Sequence, residues 1–143
     1  MAKRILSVIA ALAVSFAIIM AFESVSGFLF KTPGVDPRNP QTVSDMMASM
    51  PLAAFLWLLL GYAVSAFAGG AVATFLSGRN NMQPALIVGG ALTVGGIMNL
   101  IAIPYHPLWF MITNVVIYLP FAWLGYLIAR KRTDATLKTA DNI

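Results

Sequence analysis

Glu23 is the one carboxylate inside an apolar run of this chain, and Ser24, Ser26 and Gly27 follow it. An ionised carboxylate in apolar surroundings must face other protein groups, find a partner or take up a proton. Three residues far along the chain are of types that could answer it: Asn99, His106 and Asn114. Together they could share a proton, bind a cation, or hold the polar group of a lipid or solute. The plainer reading is a hydrogen-bond clamp between helices, with Glu23 reaching to outer water and His106 sitting in a turn at headgroup level. Other chemistry is poorly supplied. With no cysteine and one histidine, the chain has no thiolate and no multi-histidine metal site. It also lacks the paired carboxylates, or nucleophile with base, that a membrane enzyme needs. We therefore expect no catalysis, no metal and no cofactor.

The elements that hold these residues must be membrane helices. The 143 residues are 59% hydrophobic and only 10% charged, and Arg79 is the single formal charge from Met46 to Ala129. At about 20 apolar residues per crossing, the runs predict four spans, over 5–28, 51–77, 84–103 and 107–129. The expected fold is all-α: one polytopic domain, an up-down bundle of four transmembrane helices with tight 2–3 and 3–4 turns. Strands are excluded because open sheets leave backbone groups unpaired in lipid and the runs lack barrel alternation. Pro51, Pro84 and Pro107 open the last three spans, where a missing N–H costs nothing. The apolar run at the N-terminus continues past Ala11-Leu12-Ala13, which predicts an uncleaved anchor rather than a removed signal.

The long connection, 31–50, reads as an external loop with turns at Lys31-Thr32-Pro33-Gly34 and Asp36-Pro37. Asn39 and Pro40 then cap a short helix carrying Met46, Met47 and Met50. Residues 133–143 read as a polar tail expected to fray. Lys3, Arg4, Arg79, Arg130, Lys131, Arg132 and Lys138 share one side if both termini are cytoplasmic, leaving Lys31 and Arg38 outside. The net charge of +4 thus sits at membrane boundaries, where it suits anionic lipid rather than nucleic acid.

Helix contacts are marked by small residues. Gly61, Ser65, Gly69 and Ala73 recur every fourth residue in the second span, and Ala66, Gly70 and Thr74 form a row beside them. Gly89 and Gly96 mark the third. Such rows let helices approach closely in lipid, where packing replaces the hydrophobic drive. They predict a close hairpin of spans 2 and 3; the plainer reading is packing within the chain, and the rival is an interface with a second copy or a protein partner, since two rows exceed what one neighbour needs. On the second view, a large residue at Gly69 breaks assembly rather than the monomer.

Phe22-Glu23-Ser24-Val25-Ser26-Gly27 looks like the first-helix glutamate region of the small multidrug resistance transporters. The chain departs from that family elsewhere, with Glu23 late in its helix and a long external loop. Leu60-Gly61-Tyr62, Phe67-Ala68-Gly69-Gly70, Asn99, His106-Pro107-Leu108-Trp109-Phe110 and Leu119-Pro120 resemble a family of small four-span bacterial inner-membrane proteins without assigned activity. That resemblance implies a bacterial inner membrane and four helices, and no reaction. The expected function is a non-enzymatic structural or accessory membrane component. The alternative is a small proton- or cation-linked transporter, channel or lipid-binding protein using Glu23 in the outer leaflet.

Overall fold

A computed structural model describes residues 2–30, 36, 38–78 and 81–140, and for 131–140 it describes the backbone alone. The turns expected over 31–34 and at Pro37, and the loop position of Arg79, lie outside the described residues. Five helices appear: α1 (Ala2–Phe30), α2 (Pro40–Ser49), α3 (Leu52–Ser77), α4 (Gln83–Ala102) and α5 (Leu108–Ala140). There are no strands among the described residues. Four of the helices, all but α2, are long and apolar enough to cross a membrane.

Local chemistry sets the helix ends. Asn39 caps α2 by accepting a hydrogen bond from the Gln41 N–H at 3.0 Å, with Pro40 in the first turn. α3 ends at Gly78, whose left-handed backbone (φ 86°) lets its N–H bond the Thr74 carbonyl. Before α4, the Asn81 side chain accepts from the Gln83 N–H at 2.9 Å. The Pro107 carbonyl accepts from the Met111 N–H at 3.1 Å and starts α5. Pro120 stands inside α5 and removes the bond that its N–H would give Val116. The helix also continues through Ala140, beyond the point where a fraying tail was expected. Ala135, Leu137, Lys138 and Ala140 are strong helix formers and extend the turns already laid down.

α3 is the hub. It packs against α1, α4 and α5, whereas among the described residues the backbones of α1 and α5 stay apart. Its small-residue rows have different partners from those expected. The Gly61–Ala73 row faces α1: Phe22 lies over Gly61, and Ser15 lies over Gly69 and donates to the Ser65 carbonyl at 2.9 Å. α1 meets this row with a small stripe of its own, Ser7, Ala11 and Ser15, all buried. The Gly70 row faces α5. A Cβ at Gly70 would overlap the Ala122 carbonyl, and one at Gly125 would overlap the Phe67 carbonyl. Backbone therefore lies on backbone from both sides. Gly89 and Gly96 of α4 also face α5, against Leu119 and Ala122 and against Asn114 and Tyr118.

The expected hairpin of spans 2 and 3 is thus not the main contact, since α3 packs more extensively on α5 and α1 than on α4. Fourfold spacing reports that a face is small, and any of three neighbours can fill it. Nor are the rows spare. Gly69 lies within the chain's own packing, between Ser15 and Val88, so bulk there breaks the monomer.

The buried core runs along α3. Phe55, Leu59, Tyr62 and Ala66 pack with Phe110 and Tyr118 of α5, and Met47 of α2 seals one end. Ala11, Ala73 and Val88 fill the junction of α1, α3 and α4. Many large apolar side chains point outward, among them Phe28 at 82% and Ile101 at 75% exposed, as lipid-facing residues do. Gly70→Ala and Gly125→Ala should each cost about 1–3 kcal/mol through overpacking against backbone. Gly90→Ala, which enters open space, should be neutral. Thermal unfolding of the three variants in detergent checks the contrast.

Candidate functional site

Near one end of the bundle, α1, α3, α4 and α5 enclose a cavity of about 220 Å³. Glu23, Tyr62, Asn99 and Tyr118 bring polar groups to it, and Phe16, Ile19, Met20 and Leu92 form its apolar side. Each is positioned by the packing just described. Phe22 is held over Gly61, and the Trp57 ring packs against its ring, tilted by 34°, at 4.9 Å. The Trp57 Nε1–H also donates to the Phe22 carbonyl at 3.0 Å, which locks this turn of α1. Glu23 is the next residue, so the lock aims it toward α3. There the Tyr62 hydroxyl donates to Glu23 Oε1 at 3.3 Å. Tyr62 and Tyr118 pack ring to ring at 5.9 Å.

Of the residues singled out in the sequence, Glu23 and Asn99 line this cavity directly. Asn114 stands one shell back, 2% exposed, against the cavity-lining Gly96. A Cβ on Gly96 would come within 2.6 Å of Asn114 Oδ1 and 2.7 Å of the Tyr118 ring, so this glycine makes room for both. Asn114 Oδ1 is buried and accepts no hydrogen bond. His106 is not part of the group. It lies in the link between α4 and α5, stacked on Phe110 at 5.2 Å with Phe55 edge-on at 6.5 Å. The neighbouring Tyr105 takes a positive φ of 75°. Among the described residues no cluster of His, Cys, Asp and Glu could hold a metal ion.

Comparison with family models, curated proteins and solved structures finds no match to this chain.

A pure clamp would use up its polar groups on one another. Here, among the described residues, the Glu23 carboxylate receives a single long hydrogen bond, from Tyr62. Glu23 and Asn99 both line the cavity. A carboxylate, an amide and two tyrosine faces around such a space suit a cation or a hydrogen-bond donor. The sequence reading missed both tyrosines. Yet a phenol in mid-span has a hydroxyl that wants a partner, and that was the available signal.

His106 has a separate consequence. Its Nδ1 is buried without a partner, and burial lowers the imidazole pKa below its ordinary value, an effect the nearby Ile103 carbonyl partly offsets. The neutral ring is the form the fold accepts. As pH falls through about 6.5, the unfolded chain binds the proton first. Stability should therefore drop with acidification, until the folded form also protonates. Melting temperature measured from pH 8 to pH 5 should fall in the wild type and flatten in His106→Gln.

Proposed function

We propose that this is a non-enzymatic, multi-pass protein of a bacterial inner membrane whose Glu23 cavity binds the cationic head of an amphiphile. The observation that carries the reading is the convergence of Glu23, Tyr62, Asn99 and Tyr118 on one cavity, with a single hydrogen bond, Tyr62 to Glu23, among them. The apolar side, Phe16, Ile19, Met20 and Leu92, gives an attached hydrocarbon chain a place to lie. An ammonium head would donate to Glu23 and Asn99 and rest against the tyrosine faces.

The topology in this proposal is the up-down bundle with both termini cytoplasmic. Residue pairings support it. Phe22 meets Gly61 while Ser15 meets Gly69, so α1 and α3 run in opposite directions. Tyr62 meets Tyr118 while Gly70 meets Ala122, so α3 and α5 run in the same direction. On this topology Lys3, Arg4 and Arg130 fall at one face, and the Glu23 cavity lies toward the other, where Arg38 is found.

A role as a passive accessory subunit is the competing account, and it gives the cavity nothing to do. Carbodiimide labelling separates the two. In detergent or bilayer, dicyclohexylcarbodiimide should modify Glu23, and dodecylammonium should slow this about tenfold while neutral dodecanol does not. Gly95→Leu fills the cavity from a position with open space around it, so it should abolish the protection without unfolding the chain. Labelling that dodecylammonium leaves unchanged would contradict the proposal.

A further inference from the structure

A second cleft lies at the opposite end of α1. It measures about 220 Å³ and runs between the starts of α1 and α4. Arg4 and Gln83 flank its mouth, and Ile5, Val8, Ile9, Pro84 and Ile87 form its walls. Those walls are apolar and open outward: Ile5 is 62%, Ile9 58% and Ile87 55% exposed. No carboxylate lines the cleft. Glu23, on the same helix, is about 28 Å from Arg4 at 1.5 Å per residue, too far to neutralise it. Gln83 is already oriented, because its Oε1 accepts from Asn81 Nδ2 at 3.2 Å. Among the described residues the Gln83 NH₂ donates to none, and Arg4 lines the same cleft.

A cation and an amide lining an apolar slot match one kind of molecule in a bilayer. We infer that this cleft binds an anionic phospholipid, with its phosphate on Arg4 and Gln83 and one acyl chain along Val8, Ile9 and Ile87. The guanidinium fork pairs with two phosphate oxygens at once, which a lysine cannot reproduce. In the oriented bundle this end faces the cytoplasmic leaflet, where anionic headgroups concentrate. The site uses none of the groups around Glu23, so it stands or falls independently of that cavity.

The test is native mass spectrometry of the full chain released from micelles containing equal phosphatidylglycerol and phosphatidylcholine. Phosphatidylglycerol should be retained preferentially, and Arg4→Gln should cut that retention about fivefold. Arg4→Lys should recover it only in part, and Lys3→Gln should change it little. Ile87→Trp fills the slot without altering charge and should also reduce retention. Millimolar inorganic phosphate should not displace the lipid, since it has no chain for the slot. Equal retention of the two lipids overturns the inference. So does a loss in Arg4→Gln that Ile87→Trp fails to reproduce, which would mean diffuse surface attraction. Displacement by inorganic phosphate would assign the site to a free anion and overturn it as well. Circular dichroism of each variant, expected to match the wild type, keeps misfolding from imitating a lost site.

Discussion

The reciprocal contact between Gly70 of α3 and Gly125 of α5 sets the geometry of everything else. Each glycine lets the other helix's backbone carbonyl approach where a side chain would stand, Ala122 on one side and Phe67 on the other. At that distance the gain comes from dispersion and weak C–H···O contacts, which matter in a medium where apolar burial yields little. With α5 drawn in so closely, Tyr118 reaches Tyr62, and Asn114 is buried against Gly96 of α4. α1 docks on the other flank of α3 through Ser15, Phe22 and Trp57, and thereby brings Glu23 to the same place. The polar cavity is a by-product of two tight interfaces on α3 and a third between α4 and α5.

That origin explains why the cavity persists. α3 offers glycines and alanines on two sides, so its neighbours are held by backbone rather than by interlocking side chains. Large side chains then remain at the ends, where Phe55, Phe110 and Met47 close the bundle. Between the tight middle and the sealed end lies volume that no residue fills. Tyr62, Asn99, Tyr118 and Glu23 border that volume with unequal polarity. The space is thus polar at Glu23, Tyr62, Asn99 and Tyr118 and apolar along Phe16, Ile19 and Met20 of α1.

The four long helices were legible in the sequence because solvent dictates them: apolar runs of this length have few other uses. The Asn39–Pro40 start of α2 was legible for a local reason, since its cap lies within two residues. The pairing of the small rows was not. Gly61, Ser65, Gly69 and Ala73 announce a face, but the choice among α1, α4 and α5 depends on long-range packing that spacing does not encode. The candidate site divides in the same way. Glu23 and Asn99 were visible as polar residues in apolar runs, and both line the cavity. His106 was grouped with them by nominal depth alone, and the aromatic pair Phe55 and Phe110 holds it elsewhere. Tyr62 and Tyr118 escaped notice because a tyrosine in a span reads first as bulk.

On the proposed function, the Glu23 carboxylate faces a space that a cationic amphiphile occupies. Glu23 is the only glutamate in the chain, so selective ¹³C labelling of glutamate yields one carboxyl resonance without site-directed chemistry. Titrating dodecylammonium into labelled protein in lipid nanodiscs should move that resonance saturably. Gly95→Leu should suppress the movement, and dodecanol should cause none. A resonance that stays fixed under dodecylammonium, or that moves equally with dodecanol, would show that Glu23 serves only to tie α1 to Tyr62.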